Sequence, residues 1–197
     1  MKNLFLTSFQ LGFGIVFTPV DTLKNMPWAK RHLSALMVVS VTAMVHGFFS
    51  FLLYTNGHQP SFGSPLIPVQ EHYLFQTFLA LPAYLLLWGC FTVSSHWALR
   101  RLGGKGTFST TAAISGYALA VPILVLFLIP DCLAYGFGGF DALKRVFVFS
   151  APVTGLWILG IWTAGHHWAH HIRLLYLFPV GVGAFLISVS WIGLVLR

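Results

Sequence analysis

The segment GHHWAHH, residues 165–171, holds four of the nine histidines of the chain. These are His166, His167, His170 and His171. Successive residues of an α-helix turn by about 100°, so on one continuous helix the four imidazoles would share a sector of about 140°. Histidines four positions apart on one helical face have a spacing that can chelate a metal ion. A site for a divalent metal such as zinc is therefore one candidate interpretation of the segment.

A metal or proton site at this position needs a further ligand, and His96 is the best placed. His96 lies one helical turn before Arg100, and the distribution of Lys and Arg puts His96 and His32 on the same side of a membrane as the cluster. The candidate ligand set is thus His96 together with the four clustered histidines. Two other interpretations stay open: a solvated polar turn between two spans, or a pH-sensitive charge.

The remaining ionisable groups divide between the middle of an apolar run and one face of the membrane. His46, in MVHGFF, lies near the middle of the run, where it could join a proton relay or form a neutral hydrogen bond inside a bundle. On the outer side lie His58, Glu71, His72 and Asp131. Imidazole and carboxylate groups suit zinc, so these four form a second candidate set, although their spacing has no signature.

Catalysis and nucleotide binding are not expected. No nucleophile–base set or carboxylate pair appears in the sequence. The stretch GGKGT lacks the preceding glycine of a phosphate-binding loop, because that position is Leu99. Arg100, Arg101 and Lys105 are better suited to anionic lipid headgroups, or serve only as an orientation signal.

The composition indicates which kind of molecule must position these residues. The chain has 197 residues, 57% of them hydrophobic and only 8% charged. A soluble domain carries about 25% charged residues, so this composition predicts an all-α integral membrane protein. The net charge of +7 is spread in short groups between apolar runs, which argues against nucleic-acid binding. Cys90 and Cys132 predict no disulfide framework.

Five apolar stretches approach the length of about 20 residues that crosses a bilayer. They cover approximately residues 34–54, 72–99, 111–130, 146–165 and 174–196. Residues 131–145 are accordingly predicted to form an external loop. Pro122, inside the third stretch, is expected to bend its helix, either as a hinge beside a lipid groove or as ordinary helix packing.

Lysine and arginine predict the orientation of the spans. Basic residues lie before the first span and in the second and fourth loops, which places these segments in the cytoplasm and the C-terminus outside. They are Lys2, Lys24, Lys30, Arg31, Arg100, Arg101, Lys105 and Arg173. The third loop departs from this rule because it contains Lys144 and Arg145.

The first 33 residues are predicted to form an N-terminal interfacial segment of the single domain, residues 1–197. The run LFLTSFQLGFGIVFTPV is short for a span, and Gly12 and Gly14 weaken it as a helix. It is interpreted as an interfacial or half-buried helix that ends near Pro19. The alternative is a retained signal-like anchor.

The stretch LGGKGTFSTTAAISGYALAVPILVLFL resembles the Yip-domain family of small multipass membrane proteins. The similarity lies in a glycine-rich basic loop followed by a helix with Gly116, Tyr117 and Pro122. The resemblance implies five spans with the N-terminus inside. Eukaryotic members engage Rab-type GTPases through a long hydrophilic N-terminal region; this chain has about 30 residues there and is similar to the compact prokaryotic members. No GTPase role is therefore carried over.

Together these observations predict a non-enzymatic scaffold or lipid-interacting protein of a prokaryotic cytoplasmic membrane. The lipid bilayer is the expected partner, with a second copy or another membrane protein as further candidates. No cofactor is expected, and a divalent metal such as zinc stays open as the alternative. Two other functions stay open: a metal-ion or proton transporter that uses His46, His96 and residues 166–171, and an accessory subunit of a larger membrane complex.

Overall fold

The computed structural model describes residues 2–28, 31–60 and 68–196 and is all-helical over these residues. A π-helical segment, Ile123–Leu128, joins α5 to α6, and a short 3₁₀ turn, Val69–Glu71, precedes α4. The helices are α1 (Lys2–Phe17), α2 (Pro19–Asn25), α3 (His32–Thr55), α4 (His72–Arg101), α5 (Phe108–Pro122), α6 (Ile129–His170) and α7 (Leu174–Leu196).

Helices α3 and α4 end in the same way, with a glycine in the left-handed region. Gly57 has φ of 70° and Gly103 has φ of 80°, values that favour residues without a Cβ. In both turns the glycine N–H and the next N–H donate to carbonyls of the last helical turn, which is the Schellman arrangement. After α4 these bonds run from Gly103 to Arg100 (3.1 Å) and from Gly104 to Leu99 (2.8 Å).

The expectation that residues 131–145 form a loop is wrong, because this region is helical apart from one break. Gly139 has φ of 69° and ψ of −166°, a conformation that is essentially restricted to glycine. The residues around the break have a reason to stay ordered: Leu143 is buried against Phe49 and Leu53 of α3, with Phe140 beside them. The polar and charged residues of 131–145 suggested a loop, whereas the apolar side chains of this segment pack against α3 and hold a helix there.

Helices α5 and α6 fold back on each other about Gly139. Contacts move toward the start of α6 as α5 proceeds, because Thr111 meets His170 whereas Ile114 meets Gly165. At the other end of this hairpin, His58 reaches Tyr135 across 3.1 Å and stacks on Phe140. The loop after α3 and the Gly139 break therefore share one end of the bundle.

Helix α5 is the centre of the molecule. Every residue from Thr110 to Pro122 is buried, and α5 contacts α1, α3, α4 and α6. Small residues make this possible: a Cβ at Gly116 would lie 2.8 Å from Ala35 Cβ and 3.0 Å from Trp88 Nε1. Close helix approach at small residues is the usual basis of helix packing in membranes.

The effect of Pro122 is a change of helix type. Proline has no backbone N–H, so an i→i−4 hydrogen bond is lost at this position. The next six residues, Ile123–Leu128, form a π-helix. Local π adjustments of this kind restore backbone hydrogen bonding around a proline inside an apolar helix.

Helix α1 packs against α3 and α5, and α2 packs against α6. Helix α1 ends at Phe17, which confirms the predicted end near Pro19, and Pro19 then opens α2. Ile15 and Leu23 are almost fully buried inside the protein, so this segment packs against the bundle, and its interfacial location stays a prediction. Trp28, which follows α2, donates its indole N–H to the Leu23 carbonyl at 3.0 Å.

Several helices are long and apolar enough to cross a membrane. Among the described residues, three pass by length and composition: His32–Thr55, Val69–Arg101 and the continuous Phe108–His170. The last has 63 residues, about three times the roughly 20 residues of one crossing, and it doubles back at Gly139. A shorter apolar helix covers Leu174–Ser190. Large apolar side chains such as Phe78 and Leu175 face outward, as they do in a lipid-exposed surface.

Candidate functional site

The histidine cluster lies at one end of the bundle, together with most of the basic residues. At this histidine end α4 and α6 finish and α3, α5 and α7 begin. His32 joins α3 to α5 through a 2.7 Å hydrogen bond between Nδ1 and the Ser109 hydroxyl. The described basic residues here are Lys24, Arg31, Arg100, Arg101, Lys105 and Arg173, whereas Lys30 lies outside the described residues.

The glycine loop between α4 and α5, residues 103–107, is built around the ring of His170. A Cβ at Gly104 would lie 2.7 Å from Nδ1 of His170. A Cβ at Gly106 would lie 2.6 Å from Cε1 and 2.8 Å from Cδ2 of the same ring. These approaches are too close for any side chain, so both positions require glycine because the imidazole occupies the space.

Hydrogen bonds define the protonation of His170. The Gly106 N–H donates to Nδ1 at 3.3 Å, so Nδ1 acts as an acceptor and, in the neutral ring, the proton lies on Nε2. Nε2 then donates to the Thr111 hydroxyl across 3.3 Å. The same hydroxyl lies 3.1 Å from Nδ1 of His96. Thr111 therefore links histidines of α4 and α6 through the central helix.

His166 lies one turn before His170 and is fully buried. Its ring stacks edge-on against Trp162, with 4.5 Å between centroids, and lies 5.1 Å from the His170 ring. Trp162 is held in turn by a 3.2 Å hydrogen bond from its indole N–H to Ser95. Neither ring nitrogen of His166 has a hydrogen-bond partner among the described residues. Such a group is costly in an apolar interior.

The four histidines do not share one helical face, and the interpretation as a solvated turn is wrong for two of them. His166 and His170 point into the bundle, so a solvated turn does not describe them. His167 is partly exposed, and its Nδ1 lies 2.7 Å from the carbonyl of Ile172. His171 is exposed and ends the helix in the left-handed conformation, with φ of 56°. The helix stops at His170, so the four side chains separate into a buried pair and an outer pair.

The candidate zinc site is not supported by the positions of these four histidines. Within the described ranges, no group of three or more His, Cys, Asp or Glu side chains is placed to hold a metal ion. The chemistry of His170 gives a reason, since coordination through Nε2 would require a proton on Nδ1, where the Gly106 N–H already donates. Of the two buried histidines, His170 is therefore a helix-to-helix hydrogen-bonding group.

The comparison with protein-family models bears directly on this loop and helix. The model of the Yip1 domain matches residues 13–192, which is most of the chain. The chain belongs to the Yip1 domain family. The comparison with curated proteins finds no match, and neither does the comparison with solved structures. Family and apolar helices together make this Yip1 domain a membrane-embedded protein.

The residues that suggested the family have clear structural roles in this Yip1 domain. The glycine loop receives His170, and Gly116 brings α3 and α4 close to α5. Tyr117 is fully buried, with its ring edge-on to Trp28. Pro122 begins the π-helical segment. The link between the loop and His170 escaped sequence reasoning, because the two lie 64 residues apart.

His46 forms a hydrogen bond within the bundle, which was the neutral alternative. Its Nδ1 lies 2.8 Å from the Tyr84 hydroxyl of α4. One turn along α3, Ser50 donates to Gln76 at 3.3 Å. Sequence reasoning missed Tyr84 and Gln76, although polar residues at every fourth position of α3 (Thr42, His46 and Ser50) were an available signal.

The second candidate metal set of this Yip1 domain does not come together. His58 pairs with Tyr135, whereas Nε2 of His72 pairs with Gln76 on its own helix. Glu71 is exposed in the turn before α4. Asp131 is buried in α6, with 3% of its surface exposed, although the sequence had placed it in a loop.

The three predicted headgroup residues of this Yip1 domain are at the histidine end but differ in environment. Arg100 donates to the Gly104 carbonyl at 3.4 Å and so supports the glycine loop. Lys105 is exposed on that loop. The Arg101 guanidinium lies over the Trp97 ring, 4.9 Å from its centroid. Trp97 lines an open apolar groove between α4 and α7 that the sequence did not suggest.

A second apolar groove lies near Pro122, where the sequence analysis had considered a lipid groove. It has a volume of about 310 Å³ and runs between α1, α3 and the π-helical segment. Phe13, Val41 and Val121 line it. Its walls are almost entirely apolar, so it can accept only an apolar occupant.

Proposed function

We propose that this Yip1 domain is a non-enzymatic membrane scaffold with five crossings that interacts with lipid. The observation that carries the proposal is the use made of the buried polar side chains. The pairs His46–Tyr84 and Thr111–His170 each join two different helices. Groups used in this way fasten helices together and are not displayed around a site for substrate.

The helix lengths and the break at Gly139 support five crossings. A crossing needs about 20 residues, which α3, α4 and α7 each provide. The continuous helix from Phe108 to His170 provides two more, one on each side of Gly139. The basic residues of the histidine end support a cytoplasmic location for that end, which puts the Gly139 end outside.

The proposed orientation is tested with single cysteines and a membrane-impermeant maleimide. On a background of Cys90→Ser and Cys132→Ser, we expect Lys105→Cys to react only from the cytoplasmic side of oriented vesicles. Asn56→Cys, an exposed position in the equivalent turn after α3, is the matched control and should react only from the other side. Labelling of both positions from the same side contradicts the five-crossing arrangement.

The scaffold function is tested by purification in a gentle detergent followed by native mass spectrometry. A protein that acts by helix association and lipid contact should retain a second copy, a partner protein or phospholipid. Partner proteins would also include the subunits of a larger complex. A lone monomer that carries nothing contradicts the proposal.

A further inference from the structure

An apolar groove runs between α4 and α7 and opens to the outside of the bundle. It has a volume of about 890 Å³, within the range of sites that hold small molecules. Gly89 of α4 and Gly183 of α7 form part of its wall, and a Cβ added at either would meet nothing within 4 Å. The groove is open because these two positions lack side chains.

The groove matches the depth of one leaflet. On α4 it extends from Leu85 to Ala98, which corresponds to about 20 Å of helix. Half of a hydrocarbon core of about 30 Å is about 15 Å. The groove begins at the histidine end, where Trp97 lines it, and reaches toward the middle of the bundle. An acyl chain that enters from the headgroup region of this leaflet would lie along it.

A free cation stands at the headgroup end of the groove. Arg101 is exposed and lies over the Trp97 ring, which lines the groove. Within the described part of the chain, the one ion pair is Lys144–Asp141 at the far end, so no carboxylate neutralises Arg101. A planar guanidinium suits the oxygens of a phosphate group. Charge complementarity therefore selects an occupant with an anionic head and an apolar tail.

We propose that the α4–α7 groove is a binding site for an anionic phospholipid, with the acyl chain along Gly89 and Gly183 and the phosphate at Arg101. This inference rests on the proposed lipid-interacting function and specifies its ligand. The Trp97 side chain belongs to both parts of the site, because the guanidinium lies over its ring and the residue also lines the apolar groove. A second copy of the chain in the same groove is the competing occupant, and the experiment distinguishes it.

The test measures binding of phosphatidylglycerol and of phosphatidylcholine with the same acyl chains to the purified full chain by native mass spectrometry. We expect the anionic lipid to bind more tightly and Arg101→Gln to weaken its binding by about fivefold, the effect of one cation near an anionic headgroup. Lys24→Gln is the matched control. Lys24 also lies over a tryptophan, Trp168, at the same end but away from the groove.

The apolar part of the site is tested by filling it. Gly183→Leu should abolish binding of phosphatidylglycerol, whereas Gly160→Leu, equally open but outside the groove, should have no effect. Equal binding of the two lipids, equal losses in Arg101→Gln and Lys24→Gln, or a Gly183→Leu variant that loses only a dimer would overturn the inference. In those cases lipid or a second copy still co-purifies, so the proposed scaffold function stands; if nothing co-purifies, both fail.

Discussion

Gly106 donates its backbone N–H to the imidazole of His170, and the ring fills the space where a side chain at residue 106 would lie. The His170 ring therefore packs directly against the backbone at residue 106. This contact joins the loop after α4 to the last turn of α6, so it fixes how the hairpin of α5 and α6 sits against the rest of the bundle.

The contact between Gly106 and His170 can be tested by adding one methyl group at residue 106. We expect Gly106→Ala to lower the free energy of unfolding by about 1–3 kcal/mol, because the new Cβ overlaps the His170 ring. Gly89→Ala, where a Cβ meets nothing within 4 Å, is the control for glycine replacement in general. Thermal unfolding in detergent measures both, and combining Gly106→Ala with His170→Ala should recover part of the loss. Equal stability of the two single variants contradicts the contact.

The two buried histidines of α6 should respond in opposite ways to replacement by phenylalanine. His170→Phe leaves the Gly106 N–H and the Thr111 hydroxyl without their partner, which costs about 1–3 kcal/mol. His166→Phe removes two ring nitrogens that have no partner among the described residues, so it should be neutral or stabilising. Unfolding midpoints of the two variants, compared with the unchanged chain, decide the matter. A large loss in His166→Phe would mean that His166 has a polar role.

Variants of the hydrogen-bonded pair His46 and Tyr84 distinguish a scaffold from a transporter. If the pair only fastens α3 to α4, then His46→Phe and Tyr84→Phe should each lower stability by about 1 kcal/mol and show coupling in a double-mutant cycle. Proton flux into vesicles should be the same in the unchanged chain and in His46→Ala. A pH-driven flux that disappears in His46→Ala supports the transporter and contradicts the scaffold.

Gly139 should be difficult to replace because of its backbone conformation alone, since a Cβ there meets nothing within 4 Å. Its φ of 69° and ψ of −166° are closed to other residues, so Gly139→Ala should cost about 1–3 kcal/mol. Gly136→Ala, three residues earlier, is the matched control because a Cβ there meets nothing within 4 Å. Unfolding in detergent measures the difference. A Gly139→Ala variant as stable as Gly136→Ala would show that the chain can turn in another way.

Apolar length and local chemistry predicted a large part of the fold. The runs that became α3, α4 and α7 were recognised because a membrane helix needs about 20 apolar residues. Pro19 marked the end of α1 correctly, since proline favours the first turn of a new helix. His46 was expected to find a partner inside the bundle, because an ionisable group at that depth is too costly to leave alone.

What the sequence could not predict depends on contacts between distant residues. Residues 131–145 contain Asp141, Lys144 and Arg145, which suggested a loop, but Leu143 packs on α3 and keeps the segment helical. The histidine cluster has helical spacing, but which of its members face inward depends on where the glycine loop lies. Neither α4 nor α7 alone predicted the groove between them, because Gly89 and Gly183 form its wall only when the two helices are neighbours.

Gly139, the single residue at which the hairpin turns, also determines how the helical segments on its two sides are rotated relative to each other. A single residue inserted between Gly139 and His170 would turn the end of α6 by about 100° and shift it by about 1.5 Å. His170 would then leave the glycine loop and another side chain would face it. Insertions and deletions in this hairpin should therefore survive only in steps that restore the helical phase, so the interval between Gly139 and His170 behaves as a fixed length within the chain.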